Sequence, residues 1–345
     1  MPDDLQLTVN IADSGTRLDA FLADKIEGWS RSRLQRLIVD EDVLVNEKPA
    51  KPSYKLRAGD EIDIDLFEEP TAVFEPEDIP LDIVFEDEYL TVINKPAGMV
   101  VHPGAGNSTG TLANAIAFHF LLKPARSGPP AGAPPSGVAK QWRYMQAPDT
   151  ALTDVRACAS SVGIVHRLDK DTSGLIVVAK DEQTHEALSE QFRYREVFKS
   201  YVALVHGSPK QNSGTIDRPI ARDRWHRTKM TVAANGRNAL SLWKVRRRFE
   251  KFTLLDVEIK TGRTHQIRVH LASINHPVVG DETYNEGRDN TVANIDVKNA
   301  IRIMDRFFLH AEKLTFTHPQ TREKMKFESP LPEEIENLLK ELQAT

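Results

Sequence analysis

The chain has 345 residues, more than one hydrophobic core usually serves, so two domains are expected. Its 40% hydrophobic and 28% charged residues contain no apolar run long enough to cross a bilayer, and a single cysteine, Cys158, excludes an internal disulfide and a multi-cysteine zinc site. The acidic start Met1-Pro2-Asp3-Asp4-Leu5 lacks an apolar signal core, so a cytoplasmic setting without membrane attachment is expected. The net charge of -5 argues against a nucleic-acid partner, but the average hides a segregation. Residues 60–88 hold about a dozen Asp and Glu and no Lys or Arg, whereas residues 218–248 hold about ten Lys and Arg against one Asp.

From Thr16 to Ile26, Leu18, Phe21, Leu22 and Ile26 recur at helical spacing, and Ser30 stands where it would cap a second helix with the stripe Leu34, Leu37, Ile38. Arg33 and Arg36 flank that stripe, as a solvated face or as contacts to an anionic polymer. Val43 to Asn46 reads as a strand, and after the turn Ala58-Gly59-Asp60 the alternation from Glu61 to Leu66 reads as another. Residues 1–66 thus form a compact first domain, and the acidic, proline-containing stretch 67–80 reads as a linker.

The second domain, 81–345, opens with strands at Leu81 to Phe85 and Tyr89 to Asn94, followed by Lys95-Pro96-Ala97-Gly98 and a helix from Leu112 to Phe120. A Pro/Gly-rich insertion spans about 123–158 and carries no recognisable chemistry. Further strands are predicted at 174–180, 200–206, 239–247 and 252–260, with a helix at about 182–195. Strands without regular βαβ alternation favour an α+β fold over a doubly wound sheet.

The stretch His166-Arg167-Leu168-Asp169-Lys170-Asp171-Thr172-Ser173-Gly174 sets Asp169 between cations, ahead of a tight turn into the apolar run Leu175 to Ala179. Read alone, Asp169 equally well pairs with an arginine and caps the turn. In the alternating segment Lys199 to Gly207, Tyr201, Ala203 and Val205 share a face; the tyrosine is either core or a ring on which a nucleobase stacks. Thr261 to Leu271 turns at Gly262 and becomes helical, with Ile267, His270, Leu271 and Ile274 on one side and Arg268 off that stripe, able to meet an anion. Arg263 and Arg268 are then solvent or phosphate contacts, or counter-charges to a carboxylate.

Other chemistries lack their residues. His166, His265 and His270 have neither His-Glu-x-x-His spacing nor cysteine support for zinc. Ser173 lacks the Gly-x-Ser-x-Gly elbow, and Asp171-Thr172-Ser173-Gly174 echoes an aspartic-protease turn without the second copy that chemistry needs. No phosphate-binding glycine loop or dinucleotide fingerprint is present. Any reaction rests on one aspartate without a cofactor.

His166-Arg167-Leu168-Asp169-x-x-Thr172-Ser173-Gly174, Lys199-x-Tyr201, and Gly262 to His270 through Pro277-Val278-Val279-Gly280-Asp281 resemble, in order and spacing, the motifs of the RluA/RluD-type pseudouridine synthases. Asn94 to Gly98 and Leu309-His310-Ala311 resemble further landmarks, and residues 1–66 resemble the S4 RNA-binding domain. The resemblance implies a mixed, mainly antiparallel sheet with flanking helices, and an isomerase that converts uridines in RNA to pseudouridine without metal or organic cofactor. It implies Asp169 as the catalytic aspartate, Tyr201 as the ring against the target base, Arg268 as the partner of Asp169, and Arg167 as the residue filling the space left by a flipped nucleotide. RNA contacts are expected from His166, Lys199, Arg263 and His265, and from Arg33 and Arg36 of the S4-like domain. The substrate implied is large-subunit (23S) ribosomal RNA, free or in the large subunit or its precursor, bound by a monomer. A non-catalytic RNA-binding or ribosome-assembly factor and a metal-dependent nuclease are the rival functions.

Overall fold

The computed structural model describes residues 3–26, 31–39, 42–66, 76–103, 109–121, 163–223, 225–226 and 229–344. The chain divides into two units, Met1–Glu69 and Pro70–Thr345. The insertion at about 123–158 and residues 67–75 of the acidic stretch lie outside the described residues.

In the first unit β1 (Asp3–Thr8), β2 (Val43–Val45), β3 (Lys48–Pro49) and β4 (Glu61–Leu66) form an antiparallel sheet in the order β1-β4-β2-β3. The helices α1 (Leu18–Lys25) and α2 (Arg31–Val39) bring Leu18, Phe21, Leu22, Leu34 and Ile38 into one core with Val43, Val45, Ile62 and Ile64. Full burial of each such side chain is worth about 1.5–3 kcal/mol. The two helices are also tied by Asp19, fully buried, which accepts from Arg17, from Arg31 and from Gln35 at 2.6 Å. Arg33 and Arg36 lie on α2, but their side chains are outside the described residues.

The second unit is built on β5 (Ile83–Glu86), β6 (Leu90–Lys95), β7 (Gly163–Ile164), β8 (Ser173–Ala179), β9 (Phe198–His206), β10 (Ser213–Asp217), β13 (Leu240–Arg248), β14 (Phe252–Ile259), β15 (Leu309–Thr317) and β16 (Lys324–Glu328). Among the described residues these form one sheet in the order β10-β13-β14-β9-β15-β8-β6-β5, with β16 beside β15 and β7 beside β8. A separate hairpin joins β11 (Ile220–Arg222) to β12 (Met230–Val232). Among the described strands only the β8–β15 pair is parallel, through His310 opposite Ser173 and Ala311 opposite Gly174, so the expected mixed, mainly antiparallel α+β fold is the one found.

Strand β8 is buried along its whole length, as its unbroken apolar run requires of a strand covered on both faces. Ile176 and Val178 join the core containing Tyr201, Leu255, Ile267 and Phe308, while Leu175 and Val177 join Leu90, Leu188 and Phe316 on the other side. The helices α3 (Leu112–Leu121), α4 (Glu182–Arg193), α5 (Gln266–Ser273), α6 (Ile295–Met304) and α7 (Glu333–Ala344) flank the sheet. Asp181 caps α4 by accepting from the Thr184 amide and hydroxyl at 2.8 and 2.7 Å. The end of the acidic stretch is held by the second unit, where Glu77 accepts from the Gly110 amide at 3.0 Å and donates its own N–H to Asn114 at 3.1 Å.

Candidate active site

Asp169 lies in the turn between β7 and β8. Its carbonyl accepts the Thr172 N–H at 3.1 Å, and buried Leu168 and Thr172 pin the turn on either side. Gly174 then enters β8 with φ +112°, a conformation that disfavours any β-carbon, and one there would press into the Ala311 carbonyl on β15. Beneath the turn, Ser173 accepts from Arg306 at 2.9 Å and bonds His310 Nδ1 at 2.8 Å. Because His310 Nε2 faces the Ser329 carbonyl, Nε2 carries the ring proton and Ser173 donates to Nδ1. Burial pushes the His310 pKa down to about 4, which keeps this strut neutral.

Lys95, at the end of β6, is fully buried and donates to the carbonyls of Pro96 and Met99 at 2.8 Å and of Lys170 at 3.0 Å. One ammonium thus clips the turn after β6 to the residue following Asp169. Desolvation, with help from the Arg306 charge, lowers its pKa to about 7.

On the opposite wall α5 carries Arg268. The helix starts at Gln266, whose amide accepts from Thr261 and Arg263 and donates to Leu240 and Ser241, filling its hydrogen-bonding positions. Arg268 makes a two-pronged ion pair with Asp281, Nε to Oδ2 at 2.7 Å and Nη2 to Oδ1 at 2.9 Å, and its remaining Nη1 reaches Asp169 Oδ2 at 3.3 Å. The guanidinium lies 4.3 Å from the Phe307 ring centre and 5.1 Å from that of Tyr284. Burial opposes its charge, but Asp281, with Asp169 behind it, raises its pKa. Asp281 is held by the amides of Thr283 and Tyr284, and the preceding Gly280 by Asp289, which also accepts from His206 at 2.7 Å.

Sequence reading named Arg268 as the partner of Asp169; its tighter partner is Asp281, whose position in a Gly-Asp turn carries no periodic signal. Tyr284, Phe307 and Lys95 were likewise not assigned a role, although Lys95 and Asp281 fall within stretches that carried the family resemblance.

Tyr201 sits on β9, almost wholly buried. Burial, and secondly the Asp169 charge, raise its phenol pKa, so it is protonated at neutral pH. Among the described residues its hydroxyl has no hydrogen-bond partner. Arg167 is exposed, and its charge adds to burial in pushing the His102 pKa down to about 4.

The other residues expected to contact RNA each have partners within the protein. His166 stacks on Phe192 at 4.6 Å, its Nε2 accepts the Val177 N–H at 3.0 Å, and burial, then Lys199, lowers its pKa to about 3. Lys199 covers the same Phe192 ring with its ammonium at 5.1 Å, its pKa pushed down to about 8 by burial. His265, with φ +54° at the start of α5, bonds the Tyr284 hydroxyl at 2.8 Å and is kept toward the neutral form chiefly by burial. Arg263 is half-buried and donates to the Asn238 carbonyl at 3.4 Å. His270 is a core residue, its Nε2 donating to the Arg218 carbonyl and its Nδ1 accepting from Ser241, both at 2.9 Å.

The geometry is therefore a carboxylate, 17% exposed, opposite a buried guanidinium and near a buried phenol, set in a rigid frame. Such a trio suits charge-stabilised chemistry on a group inserted between ring and carboxylate.

Residues 89–273 match the RNA pseudouridylate synthase family and residues 16–62 match the S4 domain. Among similar proteins, ribosomal large subunit pseudouridine synthase D of Escherichia coli strain K12 is 38% identical over 100% of this chain and 96% of its own. The protein of that name in Xanthomonas campestris pv. campestris is 38% identical over 98% and 92%, and an uncharacterized RNA pseudouridine synthase of Bacillus subtilis 37% identical over 98% of both. In fold, the chain is similar to human RNA pseudouridylate synthase domain containing 4, with TM-score 0.54 and 24% identity over 76% of this chain and 92% of that one. No helix among the described residues is long and apolar enough to cross a membrane. With more than half its length matching the family and full-length relatives at 38% identity, the chain belongs to the RNA pseudouridylate synthases, isomerases of uridine in RNA, and carries an S4 domain ahead of the catalytic unit.

Proposed function

We propose that the protein converts uridines of large-subunit (23S) ribosomal RNA to pseudouridine, with Asp169 as the catalytic aspartate, Tyr201 as the ring against the target base and Arg268 as the counter-charge to Asp169. The observation that carries this reading is the single guanidinium shared by two carboxylates, one fully buried and doubly bonded, the other left partly open with one long contact. The names of the full-length relatives support the choice of RNA.

A uridine inside a helix must first be extruded, at a cost of a few kcal/mol offset by stacking and phosphate contacts. Asp169 then attacks the ribose C1′ as the N1–C1′ bond breaks, or removes a 2′ proton as that bond breaks. The uracil rotates against Tyr201 and the C5–C1′ bond forms, displacing the Asp169 carboxylate from C1′ or with return of the proton to C2′; N1 then takes up a proton and the C5 proton leaves. Because the phenol is held protonated, Tyr201 accepts that proton only by passing its own onward; Asp169, whose charge it feels, is the natural acceptor.

Arg167 occupies the space left by the flipped nucleotide, and the S4 domain, with Arg33 and Arg36, captures the RNA body. The assignment carries with it residues 1–66 as the RNA-binding domain, 67–80 as linker and 81–345 as catalytic domain, in a cytoplasmic monomer that needs no cofactor.

The test is Asp169→Asn on an unmodified 23S transcript labelled with tritium at uridine C5. Tritium release is expected to disappear while RNA affinity stays within about twofold. Appreciable release by the variant overturns the assignment, and absence of release by the wild type overturns the reaction.

A further inference from the structure

The basic stretch 218–248 has no part in the reaction described above, yet it contains the most exposed large hydrophobic side chain among the described residues. Trp225, 89% exposed, stands at the tip of the β11–β12 hairpin. A lone surface tryptophan needs no explanation on most proteins. Here the root of the hairpin, the hydrogen bonds at Trp225 and the charge of the sequence coincide.

The root is in the wall of the site. Met230, the first residue of β12, donates its N–H to the Tyr284 hydroxyl at 2.8 Å; that hydroxyl bonds His265, and the Tyr284 ring lies against Arg268. Ile220, Met230 and Val232 pack with Val269 of α5 and Tyr284 in a small apolar cluster that fixes the strands to the helix carrying Arg268. Trp225 lies five residues from Met230, so its backbone is at most about 18 Å from that anchor. The ring is thus tethered to the wall that carries Arg268.

The described residues near the tip are tied by hydrogen bonds. Asp223 accepts the N–H groups of both Trp225 and His226 at 2.8 Å, Asp223 N–H donates to Lys229 at 2.9 Å, and Lys229 N–H donates to His226 at 2.8 Å. In sequence the tip reads Arg222-Asp223-Arg224-Trp225-His226-Arg227-Thr228-Lys229, four cations around one aromatic. A flat ring flanked in sequence by cations complements a polyanion that carries flat, unpaired bases.

We propose that Trp225 is a platform on which an unpaired nucleobase of the substrate RNA, close in sequence to the modified uridine, stacks. The ring thereby sets which uridines are presented to Asp169. This rests on the RNA reading proposed above and extends it to target choice.

The test compares wild type, W225F and W225A as full chains on the unmodified 23S transcript. Removing one stacking ring is expected to raise KM and the RNA dissociation constant about tenfold in W225A. The effect on kcat should be under about twofold, and W225F should keep most of the affinity. A neutral ring releases no counterions, so the slope of log affinity against log salt should not change. RNA should also quench a component of tryptophan emission in the wild type that W225F lacks. Wild-type affinity in W225A, or W225F as weak as W225A, overturns the inference. A changed salt slope does the same, because the substitution would then be acting through the cations. If the wild type binds and quenches but makes no pseudouridine, the reaction falls and the platform stands.

Discussion

Arg268 joins two aspartates that the geometry makes unequal, and substituting each tests this. Asp281 is fully buried and receives two charge-assisted hydrogen bonds at 2.7 and 2.9 Å, whereas Asp169 is 17% exposed and receives one contact at 3.3 Å. Breaking a buried ion pair from one side costs about 3–5 kcal/mol, because the remaining charge is left without its partner. Asp281→Asn leaves Arg268 in that state and turns an amide N–H toward one of its donors. At roughly 2–4 °C per kcal/mol, the catalytic unit should melt about 6–20 °C lower. Asp169→Asn removes a long, partly solvated contact, worth at most about 1 kcal/mol, and should melt within about 4 °C of wild type. The chemistry reverses the order: tritium release should vanish in Asp169→Asn but persist in Asp281→Asn at about a hundredth of the wild-type rate below the melting range, as a displaced guanidinium implies. Calorimetry and tritium release on the same preparations read both. Equal melting losses in the two variants, or a wild-type melt for Asp281→Asn, refute the reasoning.

Gly174→Ala should lower the melting temperature by more than about 8 °C, since a β-carbon at φ +112° meets the Ala311 carbonyl and parts β8 from β15; a wild-type melt rejects this. Lys95→Met strands three carbonyls in the core, with an expected loss of about 3 kcal/mol and a roughly tenfold fall in kcat through a loosened Asp169 turn; unchanged kcat in a folded variant argues against the clip. His102, His166 and His310 have pKa values lowered in the folded state to about 4, 3 and 4, so the stability they confer is present above the unfolded value near 6.5 and lost as pH falls toward those values. Between pH 6 and 4.5 each contributes a slope of about 1.4 kcal/mol per pH unit, and His166→Gln should flatten the denaturation profile by that amount; an unaltered slope contradicts the assignment.

Segments with a local signal were legible. The unbroken run Leu175 to Ala179 became the buried strand β8, and the stripe Leu18, Phe21, Leu22 became α1, because burial in each case follows a period fixed by the backbone. The three-residue strands β11 and β12 are too short to show a period, and they form because Met230 and Val232 pack on α5, a partner remote in sequence. Asp169 and Arg268 were recognisable from their motif contexts. Their true spacing was not, because Asp281 enters through a turn set by Gly280 and Asp289. His166 is expected as an RNA contact beside Arg167, but sequence does not show that it stacks on Phe192, where burial holds its ring neutral.

The Lys95 bond to the Lys170 carbonyl, together with the β6–β8 ladder in which Lys95 lies opposite Gly174, closes a long stretch of chain at its base. Doubling the length of such a closed stretch costs only about 0.6 kcal/mol, because closure entropy grows with the logarithm of length. A reporter or an extra recognition module inserted between Leu121, the end of α3, and Gly163, the start of β7, would therefore add little to the cost of closure, with β7 paired to β8 beside it.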